Sequence, residues 1–381
     1  MKKVTDALTD NSAESEKLIF DPREYFTSLL VDIDQAVNEL VLEAYLFKVD
    51  EIGKQFIAAL SAAAHRGVKI RILVDGVGSY GEAAQIVRQL ESKNCQVRIF
   101  HPLPWDFTAY RRALVSGSWY SKVLYLIASM NHRNHRKLCL IDAQIAWIGS
   151  YNITAGHLNN NLADSQDDWH DTALRVTGPM AFDLRQNFDE VWQRKSASKV
   201  RRTLKFLGNN TARARKNKNR RLFAILRGAR ERIWITNAYF NPSARLVKAL
   251  KVAAESGVSV QILVPSHSDV LFFPAISRTY YVDLLNAGVR VFEYRTRVLH
   301  SKTMLIDNLV LVGSTNLNYR SFFHDLELDA LLTSESSVQC LHDKFRLDIQ
   351  NSVEITPTHN GKYRRVQKLL GYISRFLRYW L

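Results

Sequence analysis

Cysteine is scarce in this 381-residue sequence: Cys95, Cys139 and Cys340 are odd in number and widely spaced. That excludes a disulfide framework and a zinc site built on paired cysteines, and it fits reduced, partly buried thiols in a cytosolic chain. No run of about eighteen apolar residues occurs, so no membrane span is expected. The opening Met1-Lys2-Lys3-Val4-Thr5-Asp6 leads into polar residues, and no secretory signal is expected. Acids are outnumbered, 37 Asp and Glu against 52 Lys and Arg, for a net charge of +15. Such an excess implies an anionic partner, either nucleic acid or a membrane surface. With 46% hydrophobic residues, the chain is long enough to bury two domain cores of ordinary size.

What the sequence does have is a repeat. Tyr25, Leu29, Leu30, Ile33 and Val37 recur at helical spacing ahead of a strand over 39–47. A second helix follows with Phe56, Leu60 and Ala64 on its apolar side and Gly67 at its end, then a strand over 68–75. Strand, helix, strand is the pattern of an α/β unit with a mostly parallel sheet flanked by helices. The pattern returns over 233–264, where Ala253-Ala254-Glu255-Ser256-Gly257-Val258 mirrors Ala63-Ala64-His65-Arg66-Gly67-Val68. The expected architecture is therefore two duplicated α/β domains related by a pseudo-twofold axis within one chain. The boundaries predicted are 1–195 for the first domain, 196–230 for a basic linker, 231–355 for the second domain and 356–381 for a basic amphipathic tail.

Each half carries one copy of a polar constellation. The first is His135-Arg136-Lys137-Leu138-Cys139-Leu140-Ile141-Asp142, closed by Gly149-Ser150-Tyr151-Asn152. The second is His300-Ser301-Lys302-Thr303-Met304-Leu305-Ile306-Asp307, closed by Gly313-Ser314-Thr315-Asn316. In a β-branched, apolar run that reads as a strand, His and Lys two apart share a face. The Asp, seven residues after the His, points away and reads as a structural charge partner. Ser and Asn, two apart, return on a shared face of the next strand. Five residues separate Asp307 from Gly313 where six separate Asp142 from Gly149, a loss assigned to the hairpin turn.

This constellation resembles the phospholipase D superfamily, whose signature is HxKxxxxD followed by GSxN, usually in two copies. The resemblance implies that His135, Lys137, Asp142, His300, Lys302 and Asp307 are the catalytic signature, and that Ser150, Asn152, Ser314 and Asn316 support the phosphate. It also implies a carboxylate that orients each motif histidine; Asp171 and Glu327 stand at the matching places, with Asp167 and Asp168 competing for the first. Over about residues 20–332 the chain is similar to bacterial cardiolipin synthases, through Tyr45-Leu46-Phe47, Arg66-Gly67-Val68, Asn134-His135-Arg136-Lys137, Gly178-Pro179 and Asn316-Leu317-Asn318-Tyr319-Arg320-Ser321. Those enzymes often begin with two membrane-spanning helices; this sequence reads as the shorter, peripheral type.

Three segments lie outside the repeat. His135 comes 35 residues after Phe100, while His300 comes 8 after Phe292, so the first half carries an insertion of about 27 residues by subtraction. It is rich in aromatics and bases (Trp105, Phe107, Tyr110, Arg111, Arg112, Trp119, Tyr120, Lys122, Tyr125) and reads either as a surface for amphipathic substrates or as a packed excursion. Residues 194–232 hold fifteen Lys or Arg and one acid, Glu231. Residues 362–381 have no acid, and Val366, Leu369, Leu370, Ile373, Phe376, Leu377 and Trp380 recur there at helical spacing among arginines. That tail reads as an interfacial helix or as a cap on the second domain.

Imidazole near neutral pH serves as nucleophile and as general acid or base, so two histidines facing one phosphodiester can divide that labour. Lys137, Lys302, Asn152 and Asn316 are suited to the nonbridging oxygens as charge shifts. With two ammonium groups in place and a Lys between would-be ligands, neither metal nor other cofactor is expected. The resemblance implies His135 as nucleophile and His300 as acid/base; the residues alone do not order them. The function expected is phosphatidyl transfer of the cardiolipin synthase kind, from phosphatidylglycerol or a similar lipid through a phosphohistidine to a second phospholipid hydroxyl. A hydrolase of the phospholipase D type and a nuclease of the same superfamily are the alternatives, and a non-catalytic lipid-binding protein is the reading from a different class. Anionic membrane and phospholipid are the expected partners, nucleic acid is not, and oligomeric state is left open. The place expected is the cytoplasmic face of the inner membrane, peripherally bound.

Overall fold

A computed structural model describes residues 15–103, 105–106, 118–120, 124, 131–158, 169–193, 205–270 and 272–356. The expected tail over 356–381 falls outside the described residues after position 356, as do 194–204, Asp167, Asp168 and most of the aromatic insertion. Within that insertion Trp105, Trp119 and Tyr120 are described, and all three are exposed.

The first unit runs β1 (Ser15–Ile19), α1 (Pro22–Asp34), β2 (Glu39–Ala44), α2 (Glu51–His65), β3 (Lys69–Asp75), α3 (Ala83–Leu90), β4 (Cys95–Phe100), β5 (Leu138–Ile141), β6 (Ile145–Gly149), β7 (Trp169–His170), β8 (Ala173–Thr177) and α4 (Ala181–Gln193). The second runs β9 (Phe206–Gly208), α5 (Ala212–Gly228), β10 (Arg232–Asn237), α6 (Ala244–Glu255), β11 (Ser259–Pro265), α7 (Phe273–Arg278), α8 (Tyr281–Leu285), β12 (Arg290–Tyr294), β13 (Val298–Leu299), β14 (Lys302–Ile306), β15 (Leu309–Gly313), α9 (Tyr319–Phe323), β16 (Leu328–Leu332), α10 (Glu335–Gln350) and β17 (Ser352–Glu354). Local chemistry sets the helix ends. Asp21 caps α1 by accepting from the Glu24 N–H at 2.9 Å, and Pro22 fills the first turn where no N–H is needed. After α2 and α6, Gly67 and Gly257 take positive φ (99° and 88°), which lets the chain turn directly into the next strand.

The α/β class and the duplication expected from sequence are what the fold displays, with one refinement: both sheets are mixed. The seven-stranded sheet has the order β1-β8-β6-β5-β2-β3-β4, with β2, β3 and β4 parallel and the other pairs antiparallel. The eight-stranded sheet, β17-β12-β11-β10-β14-β15-β16-β9, repeats that core arrangement. The βαβ crossovers give the parallel part. The motif strands are joined by hairpins too short for any crossover, which forces them antiparallel.

One layer of apolar side chains is shared by the halves. Val41, Leu73, Leu140 and Ile148 from one sheet meet Leu263, Phe292, Leu305 and Val312 from the other, with α4 and α10 filling the same layer. The outer faces bury separate cores under α1–α3 and under α5, α6 and α8. The stretch 196–230, read above as a linker, is built differently from 205 onwards. β9 pairs with β16 at the sheet edge, and α5 buries Leu222, Phe223, Ile225 and Leu226. Thr211 caps α5 by accepting from the Ala214 N–H at 3.1 Å. Charge counting hid this helix because bases fill its first turns, Lys218 even on the buried side, while its apolar stripe occupies only the last turns.

Candidate active site

Each motif histidine stands just ahead of its strand rather than inside it. That segment is paired across the two halves. The His135 N–H donates to the Leu326 carbonyl at 3.0 Å, and the His300 N–H donates to the His170 carbonyl at 2.9 Å. The two motif segments are thus fixed by the association of the units and not by either unit alone.

The side chains are exchanged in the same way. His300 Nδ1 lies 2.8 Å from Asp171 Oδ1, and His135 Nδ1 lies 3.2 Å from both Glu327 oxygens. His135 Nδ1 is also 3.1 Å from the Ser314 carbonyl, which can only accept, so Nδ1 carries the proton and Nε2 the lone pair. Asp171 and Glu327, the two carboxylates picked from the sequence, each reach the histidine of the opposite half. Both histidines are buried.

Lys137 and Lys302 turn to the same place. Lys137 Nζ donates to the His135 carbonyl at 2.8 Å, and Lys302 Nζ donates to the His300 carbonyl. Burial pushes the Lys137 ammonium down to about 7, with the charge of Lys302 adding to the effect. Burial likewise pushes Lys302 down to about 8, against the pull of Asp171 and Glu327. Burial, then Lys137 and Lys302, hold His135 well below the ordinary imidazole value. His300 is lowered by burial too, with Asp171 opposing. Burial would raise Asp171, but the charge of His300 and hydrogen bonds from His157 and His300 carry it well below the carboxylate range. Glu327 goes the other way: burial raises it to about 7 in spite of Lys218, Ser314 and Ser321. One carboxylate is firmly ionised and the other titrates near neutrality.

The motif aspartates do not enter the site. Asp142 accepts from the N–H groups of Val37, Asn38 and Glu39 at 2.9, 2.7 and 2.9 Å. Asp307 does the same for Arg230, Glu231 and Arg232. Both sit at the hairpin tips with positive φ (50° and 49°), a conformation Asp tolerates better than most residues. The missing residue of the second copy is in this turn: Ile141 pairs with Ile145, but Ile306 with Leu309. The turn absorbs the difference, and Asn316 keeps its place.

The GSxN segments explain themselves by contact. A Cβ on Gly149 would come within 2.3 Å of the Thr172 carbonyl, and one on Gly313 within 2.3 Å of the Leu328 carbonyl. Only glycine lets the strand lie that close to the one bearing the orienting carboxylate. Ser150 Oγ receives the Thr172 N–H at 3.0 Å, and Ser314 Oγ receives the Leu328 N–H at 3.0 Å while donating to Glu327. Asn152 and Asn316 are buried, and their backbone N–H groups are held by residues five positions on. The holder is His157 Nε2 at 3.1 Å in the first half and Ser321 Oγ at 3.3 Å in the second.

Several site residues escaped the sequence reading. Ser321 Oγ donates to Glu327 at 2.5 Å, and His157 Nδ1 approaches Asp171 to 3.1 Å, so each stands behind one orienting carboxylate. The repeat of GSxN plus five would have found that pair. Lys218 on α5 reaches Asp329 at 2.8 Å and Thr315 at 2.6 Å. Tyr45 and Tyr239 pack their rings 4.9 and 5.8 Å from His135 and His300, and Lys137 and Lys302 lie 5.1 and 5.8 Å over the same rings. Trp169 packs 4.9 Å from His300. Among the described residues, no group of three or more His, Cys, Asp or Glu is arranged to hold a metal ion, and no helix is long and apolar enough to cross a membrane.

Comparison with known proteins bears on the family and the fold. The family described as cardiolipin synthase, PLD-like domain, matches twice, over residues 29–192 and 222–349. A cardiolipin synthase of Listeria welshimeri is 28% identical over 384 residues, covering 97% of this chain and 75% of that protein. One from Alkalihalophilus pseudofirmus is 29% identical over 356 residues, covering 89% of this chain and 67% of its own. The crystal structure of phosphatidylserine synthase from Haemophilus influenzae superposes with a TM-score of 0.68 at 13% identity, covering 99% of this chain and 96% of that one, a likeness of fold.

Proposed function

We propose, from the premise that this chain belongs to the cardiolipin synthase, PLD-like domain family and is an enzyme of that family, that it moves a phosphatidyl group from phosphatidylglycerol to the hydroxyl of a second phospholipid. The observation that carries this reading is the crosswise pinning of two buried imidazoles by their Nδ1 atoms. That arrangement leaves both Nε2 atoms to the reacting centre, with two ammonium groups beside them.

His135 is the nucleophile. Its proton is committed to Nδ1 by the Ser314 carbonyl, and its low basicity keeps the Nε2 lone pair available. His300, backed by the ionised Asp171, is the acid/base. Nε2 of His135 attacks phosphorus, the phosphorus–oxygen bond to glycerol breaks, and His300 gives that oxygen a proton. The acceptor hydroxyl then yields its proton to His300 as its oxygen attacks, and the phosphorus–nitrogen bond breaks. Lys137 and Lys302 balance the charge on the nonbridging oxygens in both transition states, with Asn152 and Asn316 as further donors. Asp142 and Asp307 fix the hairpins and take no part in bond changes.

Labelled phosphatidylglycerol in mixed micelles tests the reading. Glycerol release with formation of cardiolipin is expected, together with an acid-labile, base-stable phosphoenzyme on His135. A protein that releases no glycerol and makes no phosphatidyl product would refute it. Metal-independent cleavage of single-stranded DNA, lost in His135→Ala, would instead place the chain among nucleases. Contact with an anionic leaflet is assigned to the basic segments 194–232 and 362–381, leaving out Lys218, which is buried against Asp329; a base that reaches the surface contributes about 1 kcal/mol. Removing residues 362–381 is expected to shift the protein from membrane to supernatant while sparing activity in micelles.

A further inference from the structure

The pseudo-twofold axis relates the two ends of the site position by position, and at three neighbouring positions the chemistry is opposite. The short ladder Val298↔Trp169, Leu299↔His170 is the mate of the bridge Asn134↔Leu326, so Val298 corresponds to Arg133 and Trp169 to Asp325. The registers Leu40↔Ile70 and Ile233↔Val260 make Pro265 the mate of Asp75. Beside His135 there is thus Asp75, Arg133 and Asp325; beside His300 there is Pro265, Val298 and Trp169.

The charged end is closed. Asp75, Arg133 and Asp325 are 0%, 3% and 6% exposed. Two of them hold the backbone that carries the nucleophile: Asp75 accepts from the Asn134 N–H at 2.8 Å and Asp325 from the Arg133 N–H at 3.2 Å, while the Arg133 guanidinium donates to the His101 carbonyl at 2.7 Å. The apolar end is open. Val298 and Trp169 are half-buried, and Phe272, stacked at 5.4 Å on Phe273, is 47% exposed. Phe273 packs 4.7 Å from Tyr239, which packs on His300 from another side. Trp169 is held between His157 at 5.0 Å and His300 at 4.9 Å.

In an in-line displacement the leaving alcohol and the incoming alcohol occupy the position opposite the nucleophile, beside the acid/base. We propose that Trp169, with Phe272 and Phe273 beyond it, is the acceptor wall of this site. It receives the glyceryl and acyl portion of an incoming lipid alcohol and keeps water from the phosphatidyl-histidine. This rests on the assignment of His300 as acid/base above. An indole edge beside the reacting oxygen favours an acceptor that brings apolar surface and disfavours water, which brings none. If water wins, its oxygen forms the new bond to phosphorus as the phosphorus–nitrogen bond to His135 breaks, its proton goes to His300, and phosphatidic acid leaves in place of cardiolipin. Trp169 therefore acts as a specificity residue that makes the enzyme a transferase rather than a hydrolase.

The test is the ratio of phosphatidic acid to cardiolipin made by the full chain from phosphatidylglycerol micelles, with glycerol release recorded separately. Trp169→Ala is expected to raise that ratio by roughly tenfold, the scale on which an apolar pocket discriminates. Trp169→Phe is expected to restore it to within about twofold of wild type. Phe272→Ser, at an exposed position that folding tolerates, is expected to raise it by about threefold. An unchanged ratio in both Trp169→Ala and Phe272→Ser overturns the proposal, as does an equal fall in both products with Trp169→Ala, which is what mere misplacement of His300 would give. Absence of glycerol release from the wild type would instead defeat the phosphatidyltransferase reading itself.

Discussion

Lys137→Met is a perturbation for which the structure predicts opposite effects on activity and stability. The ammonium is fully buried beside a second one, and it is held at about 7 where an ordinary lysine titrates at 10.5. The difference of about 3.5 units, at 1.36 kcal/mol per unit, puts the cost of carrying the charged form into the folded apo-protein at ~5 kcal/mol. Methionine fills a similar volume but loses the bond from Nζ to the His135 carbonyl, which offsets about 2 kcal/mol. The variant is therefore expected to be more stable than wild type by ~3 kcal/mol at pH 6, and inactive. The sign with pH is fixed by the direction of the shift. A lysine lowered in the folded state binds more protons when unfolded between about 7 and 10.5, so wild-type stability rises with pH across that window. The advantage of methionine should be constant below pH 7, vanish near about pH 9 and reverse as pH climbs towards 10.5. Urea midpoints at pH 6 and pH 10 read this directly. A variant less stable than wild type at pH 6, or an advantage that grows with pH, would refute the reasoning.

Four further outcomes are expected. Gly313→Ala should destabilise by more than about 2 kcal/mol, because its Cβ would meet the Leu328 carbonyl and Asp329 at 2.3 Å; a urea midpoint checks it. Asp307→Ala should cost roughly 1–3 kcal/mol by orphaning the N–H groups of residues 230–232, with turnover per folded molecule little changed. Asp171→Asn should lower kcat by at least about a hundredfold while His135 still forms some phosphoenzyme, detectable by acid quench. In wild type, kcat/KM should fall as pH rises through about 7 to 8, since Lys137 and Lys302 lose their charge there; a profile flat to pH 9 would show that neither ammonium is needed.

The sequence by itself determined the duplication, the α/β units and the residues that gather at the candidate site, because each is written in local spacing. A step of two from His to Lys, of seven to Asp, and a Gly-Ser ahead of Asn are short-range patterns that survive in one strand and one hairpin. The same locality explains the reading of Asp142 and Asp307 as structural: parity along a strand sends them off the reacting face, and the hairpin tips are where they are found. The linker reading failed where charge outweighed periodicity, since α5 shows an apolar stripe only near its end. What tertiary structure alone decided is the exchange between halves. Asp171 serves His300 and Glu327 serves His135 because the segments carrying them pair across the interface, and no spacing within a single half encodes that. Burial was decided there as well. A histidine and a lysine on a strand read as exposed until a second copy of the same surface closes over them, and the closing removes the water that would otherwise have kept their basicity ordinary.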